Sequence, residues 1–233
     1  YHKSNPNLIK AIAEKGATAF SMDAMPRISR AQDMDVLSSQ SNLAGYKAVI
    51  LGAYAMTKIF PLMMTAAGKI TPSRVLVYGV GVAGLQAIAT AKRLGAVVEV
   101  SDVRPETKEQ VESLGGRFLS VEGVDQVKVE GGYASEISAE FLAKQKKLIE
   151  DKIKDADIVI TTALVIGKKA PILVTEEMVK SMKMGSVIVD LAVESGGNCA
   201  LSEINATVVK HGVTLVGESN LPSLLPVNAS QLY

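Results

Sequence analysis

Three glycines, Gly79, Gly81 and Gly84, and one aspartate, Asp102, have the types and spacing to hold phosphates and a sugar in one ligand. In the run Gly79-Val80-Gly81-Val82-Ala83-Gly84 the first glycine permits a tight turn. The second lets backbone approach a pyrophosphate, and the third lets a following helix pack on the preceding strand. Amides at that helix's positive end would face the phosphates. Asp102, 23 residues after Gly79, can accept from both hydroxyls of a ribose and would repel a 2′-phosphate, which favours NAD over NADP. Arg104 follows the acid and is expected to lie over the adenine. The bland alternative is a glycine-rich turn beside a solvated aspartate.

The elements that must position these residues are legible around them. Val75 to Tyr78 is a short β-branched-rich run suited to a buried parallel strand. Leu85, Ile88, Ala89 and Leu94 recur at helical spacing, and Gly95 stops that helix. Val97 to Val100 then forms a second strand ending at Asp102. The alternation continues: "PETKEQVESLG" and "SAEFLAKQKKLIEDKI" read as helices around a short strand at 116–119. "ADIVITTAL" and "SVIVDLA" read as strands around the helix "TEEMVKSMKMG", and "TVVKHGVTLVG" as two short strands about His211-Gly212. Strands separated by helices imply a doubly wound parallel α/β sheet with its ligand at the strands' carboxyl ends. That singles out Thr161 to Leu164 and Asp190 to Asn198.

Composition sets the outer bounds. The 233 residues carry 25 basic and 24 acidic side chains, net +1, so no global field recruits nucleic acid or an anionic membrane. One cysteine, Cys199, forms no internal disulfide and reads as a small buried thiol. The uncharged run Ala48 to Thr57, bracketed by Lys47 and Lys58, is ten residues long. A membrane span needs about 20, so this run reads as a helix buried against protein. The chain opens at Tyr1 without an initiator Met and closes on "NASQLY", which reads as a fragment.

The segment from Met22 to Tyr46 admits two readings. One is a solvated loop with two helix caps, Asp33 or Asp35 leading one helix and Ser41 or Asn42 the next. The other is a binding loop. Histidine scarcity bears on the chemistry, because the two present, His2 and His211, sit away from any expected strand carboxyl end and read as structural.

Met25 to Gln32, Met34-Asp35 and Leu37 to Tyr46 resemble the Arg-Gln-Asp loop of the NAD(H)-binding component of proton-translocating nicotinamide nucleotide transhydrogenases. The segments "GVGVAGLQAIATAKRLGA", "SDVRP", "KEQVESLGG", "GGYA", "ITTAL", "DLAVESGGNC" and "VKHGV" fit the same family, and the likeness is weakest from Ser120 to Glu130. The resemblance implies that Arg27, Gln32, Asp35 and Ser38, beside Ile28, Ser29 and Arg30, meet the nicotinamide end, with Gln32, Arg27 and Asp35 nearest the reaction. It implies that Gly79, Gly81, Val82 and Gly84 take the pyrophosphate, and Asp102, Val103 and Arg104 the adenosine. Gly132 and Tyr133 belong to a loop closing over the nucleotide, and Gln145 and Leu164 make further contacts. No metal is expected.

The activity implied is hydride transfer from NADH to NADP+ coupled to proton translocation, in a dimer docked on a membrane proton-channel component and an NADP(H)-binding component. The component is peripheral to the membrane, facing a bacterial cytoplasm or the mitochondrial matrix, and inactive without those partners. Ring-to-ring hydride transfer moves no proton at that site, which makes sense of the missing histidines. An amino-acid dehydrogenase resembling alanine dehydrogenase is the rival within enzymes, and a non-catalytic NAD-sensing module the rival outside them. Two Rossmann-like domains are expected. Residues 1–34 and 218–233 are pieces of an incomplete first domain, 35–70 connecting helices, and 71–217 the dinucleotide domain.

Overall fold

The computed structural model describes residues 5–26, 28–121, 128–130, 133–136, 139–164 and 169–233. In chain order these give α1 (Pro6–Glu14), two 3-10 turns (Met22–Ala24, Ser29–Met34), α2 (Val36–Ala55), β1 (Met63–Thr65) and β2 (Gly68–Ile70). Then come β3 (Arg74–Tyr78), α3 (Val82–Arg93), β4 (Val97–Ser101), α4 (Lys108–Ser113), β5 (Arg117–Phe118), β6 (Lys128–Glu130) and β7 (Tyr133–Glu136). The remainder is α5 (Ala139–Ile153), β8 (Ile158–Thr161), α6 (Glu176–Ser181), β9 (Val187–Asp190), β10 (Thr207–Lys210), β11 (Val213–Val216) and α7 (Pro226–Leu232).

Seven strands form one sheet in the order β10-β11-β9-β8-β3-β4-β5, parallel except for the β10–β11 hairpin. The chain winds outward from β3 through β4 and β5, then crosses back to β8 on the other side. The switch point therefore lies between β3 and β8, where such sheets place their ligand. Strand alternation sends Val75, Val77, Val98, Val100, Ile158 and Ile160 to a core with Ala48, Val49, Ala87, Ile88 and Ala91 of α2 and α3. The intervening Leu76, Tyr78, Val159 and Ile188 pack on Ile149, Ile153, Met178 and Val179 of α5 and α6. Burial on both faces explains why these strands read as continuous apolar runs.

The alanine- and glycine-rich run is a helix packed against protein, as its composition suggested. A side chain at Gly45 would overlap the Ala83 carbonyl, and one at Gly52 would meet Ile158 and Val189, so small residues let α2 lie directly on α3 and the sheet. Among the described residues no helix is long and apolar enough to cross a membrane. The end of the chain returns to the start of α2, with Ser39 Oγ donating to Leu232 O at 3.0 Å and Gln40 Nε2 to Ala229 O at 3.1 Å.

Three local expectations differ. The stretch expected to be wholly helical after Asp35 contains the exposed hairpin β1–β2. Ser41 and Asn42 lie inside α2 and cap nothing, because Asp35 already begins a helix of 20 residues. The helix after Thr175 is only six residues long and ends at Ser181.

Candidate functional site

The register of the central strands aligns Tyr78 with both Ser101 and Thr161, and Thr161 with Asp190. The glycine turn, Asp102, Thr162 to Leu164 and Asp190 to Asn198 therefore leave the sheet at one edge. Gly79 has φ +94°, and a side chain there would press on Thr162 Oγ1 at 2.6 Å. A side chain at Gly84 would overlap the Gly79 carbonyl, so α3 can start this close to β3 only with glycine. Gly81 differs. It caps α3 at an ordinary φ of −85°, and a side chain there would meet nothing within 4 Å. Space is left open in front of the helix amides, beside Val82 in its first turn.

Asp102 is buried, and its carboxylate takes four hydrogen bonds. Oδ2 accepts from Val80 N at 2.6 Å and Arg104 Nη2 at 2.9 Å, and Oδ1 from Arg104 N at 2.8 Å and Arg104 Nε at 2.9 Å. The Arg104 side chain thus folds onto the acid. The expectation that it lies over an adenine is not how it sits here, because a charge-assisted fork two residues away wins locally. Val103 lies half-buried between the two.

Sequence reasoning singled out the Asp190 to Asn198 loop but not the network that fixes it. Asp190, fully buried, accepts from Thr161 Oγ1 at 3.1 Å, Ala192 N at 3.0 Å, Asn198 N at 2.9 Å and Cys199 N at 3.0 Å. The Asn198 amide bonds both backbone groups of Ala163, at 3.0 and 2.9 Å, and Pro171 O at 2.8 Å. These two side chains tie the loops after β8 and β9 together. The signal was a polar pair closing an apolar strand and its glycine turn. Leu164, plain core by pattern alone, is 46% exposed on the first of these loops. Gln145, which the family resemblance makes a nucleotide contact, is buried and donates to Ser101 Oγ at 3.1 Å.

The Met22 to Asp35 segment has little of this rigidity. Its two 3-10 turns bury one residue, Ala31. Asp35 caps α2, accepting from Ser38 N at 3.0 Å and Ser38 Oγ at 2.6 Å. Both residues thus have a structural duty that the cap reading anticipated for Asp35. Pro26, Ile28, Ser29, Gln32 and Asp35 line an open cleft of about 250 Å³, while Arg30 beside them is exposed. Four sequence-predicted residues therefore share one wall. Asp35 precedes Gly45 by ten residues, so cleft and glycine turn lie about 15 Å apart along α2. Arg27 and Gly132 lie outside the described residues, and Tyr133 is placed only by backbone, at the start of β7.

Elsewhere the unused reactive groups are quiet. Burial pushes the Cys199 thiol up, away from the reactive thiolate. His211 sits at the β10–β11 turn with Nε2 3.0 Å from Glu176 Oε1. Among the described residues no group of three or more His, Cys, Asp or Glu could hold a metal.

Comparison with known proteins places this edge in context. Residues 48–233 match the family model described as alanine dehydrogenase/PNT, C-terminal domain, and residues 1–44 its N-terminal domain. The first portion of the split NAD(P) transhydrogenase subunit alpha of Rhodospirillum rubrum is 60% identical over 99% of the chain, which spans 60% of that relative's length. Alanine dehydrogenase of Bacillus subtilis is 30% identical over 96% of the chain and 55% of its own length. A solved structure of transhydrogenase from Sinorhizobium meliloti superposes with a TM-score of 0.90 at 51% identity, covering 100% of this chain and 63% of that one.

Proposed function

Because the chain belongs to the alanine dehydrogenase/PNT family, we propose that it is the NAD(H)-binding component of a proton-translocating NAD(P) transhydrogenase. The dinucleotide spans the carboxyl edge of the sheet. Gly79 to Gly84 and the start of α3 hold the pyrophosphate, and Asp102, flanked by Val103 and Arg104, meets the adenosine ribose. The nicotinamide reaches the cleft of Ile28, Ser29, Gln32 and Asp35, with Arg27, Arg30 and Ser38 adjoining. Gly132 and Tyr133 close over the nucleotide, and Leu164 and Gln145 bound it. The space kept free in front of Gly81 supports this fit.

Nicotinamide supplies the hydride chemistry. The chain's own task is to bind, align and exclude water, since each ångström of misplacement at the reacting carbons is costly. The observation that carries the transhydrogenase reading is the lining of the cleft: an amide, a hydroxyl, a capped carboxylate and apolar groups, with no histidine, lysine or cysteine among its described residues. A dehydrogenase acting on an amine or alcohol would need a proton relay there. Identity to the transhydrogenase subunit, twice that to the alanine dehydrogenase, supports the same choice.

In this reading the component works as a homodimer. It sits against a membrane proton-channel component and an NADP(H)-binding component, on the cytoplasmic or matrix side. The test uses the natural full-length chain with the NADP(H)-binding component of a relative. Hydride should pass from an NADH analogue to NADP only when both are present. Alanine-dependent NADH production by the chain alone would establish the amino-acid dehydrogenase instead. Nucleotide binding with neither activity would leave a sensing module.

A further inference from the structure

Asp102 has no acceptor position left for a ribose. A carboxylate offers about four lone-pair sites, and here Val80 N, Arg104 N, Arg104 Nε and Arg104 Nη2 fill them. Two of these donors are backbone amides, one of them inside the glycine turn, and they stay with the fold. The other two belong to a single guanidinium on a flexible stem, its side chain 18% exposed against 5% for Asp102. That fork places one N–H on each carboxylate oxygen, which is the donor pattern of a vicinal diol. Nη2 also donates to Val80 O at 3.0 Å, anchoring the guanidinium over the turn that would receive the phosphates.

We propose that Arg104 competes with the ribose diol for Asp102, and so sets how tightly the site takes adenosine nucleotides. The inference rests on Asp102 as the ribose acceptor. Binding exchanges two N–H donors for two O–H donors at the same oxygens, while the guanidinium moves out toward solvent. Apparent affinity is then reduced by the fraction of molecules in which the fork is closed. A mostly desolvated, bidentate pair keeps that fraction high. The same pair gives selectivity, since a ligand that cannot donate twice gains nothing by opening the fork.

The experiment titrates the natural full-length chain with 5′-AMP and with 2′,3′-dideoxyadenosine 5′-monophosphate, following heat of binding. Unaltered protein should prefer AMP. Arg104→Met keeps the stem and removes the fork. It should tighten AMP by about 10-fold and leave the dideoxy nucleotide within about 2-fold, widening their ratio. Arg104→Lys, which keeps the charge without the fork, should fall between, and it decides the matter alone if Arg104→Met does not fold. An AMP-to-dideoxy ratio equal in all proteins that fold, or smaller in the variants, overturns the competition while sparing Asp102. A ratio of one in the unaltered protein removes Asp102 as ribose acceptor, and the competition falls with it.

Discussion

The carboxyl edge of the sheet and the Met22 to Asp35 segment face the same proposed ligand but are held in opposite ways. At the edge, Asp102 and Asp190 are buried with four hydrogen bonds each, and Asn198 pins a neighbouring loop by its backbone. In the segment, short 3-10 turns bury only Ala31, and Gln32 lies exposed in an open cleft. Rigid scaffolding suits the half of the site that recognises one nucleotide by fixed geometry. A lightly held segment suits the half that must also adapt to a second nucleotide carried by another component. The difference implies that changes at the edge act on stability or binding, whereas changes in the segment act on transfer.

The largest effect should follow from Asp190→Ala. Thr161 Oγ1 and the amides of Ala192, Asn198 and Cys199 would lose their acceptor inside the fold. Unsatisfied buried donors cost about 1–3 kcal/mol each, partly relieved by relaxation, so about 3–5 kcal/mol is expected. The midpoint of thermal unfolding should drop by about 10 °C. A drop under about 2 °C would show that the edge is not held by this residue.

Gly81→Ala sharpens the comparison within the edge itself. Nothing in the protein lies within 4 Å of the added carbon, and φ is −85°. Stability should change by only a few tenths of a kcal/mol. If phosphates approach this backbone, crowding should weaken NADH by about 10- to 100-fold. Unchanged titrations would move the phosphates away from Gly81.

Gln32→Asn probes the segment. It shortens an exposed amide by one methylene and touches no core, so unfolding should not change. In the reconstituted enzyme it should slow hydride transfer by at least about 10-fold, with NADH affinity altered far less. Equal losses in affinity and rate would make Gln32 an ordinary binding residue and erase the contrast between the two regions.

Much of the edge was legible because its signals are local. Strand, glycine turn, helix, strand and acid follow in one stretch of sequence, and each glycine answers to a steric limit set by near neighbours. Asp190 and Asn198 were less legible, because their roles depend on β9 lying beside β8, a pairing of distant segments. The hairpin at Met63 to Ile70 carries no Asn-Gly or Asp-Gly turn and so read as part of a helical connection. Arg104 shows a third limit. Its spacing suits either a ligand or the nearby acid, and without a competing ligand the acid wins. In the segment, Asp35 was readable as a cap from type and position, but nothing short of the fold gathers Ile28, Ser29, Gln32 and Asp35 around one cleft.

The smallest effect is expected at the opposite edge, and it tests whether the two regions are the whole of the site. The turn at His211 precedes β11, so it lies where the parallel strands begin, with Glu176 of α6 against it. Lys180, bonded at 2.9 Å, and then His211 hold the Glu176 carboxyl below the usual glutamate range. A carboxyl lowered in the folded state adds stability above its unfolded value, and loses it as pH falls through the folded one. Both partners are exposed and screened, so Glu176→Gln should shift the unfolding midpoint by less than about 2 °C at pH 7. That difference should disappear well below the ordinary glutamate value of about 4.3. NADH affinity, measured across the same pH range, should match the unaltered protein throughout. A change in affinity that tracked the Glu176 titration would couple the two edges of the sheet, and the contrast between a rigid carboxyl edge and an adaptable segment would have to include a third region.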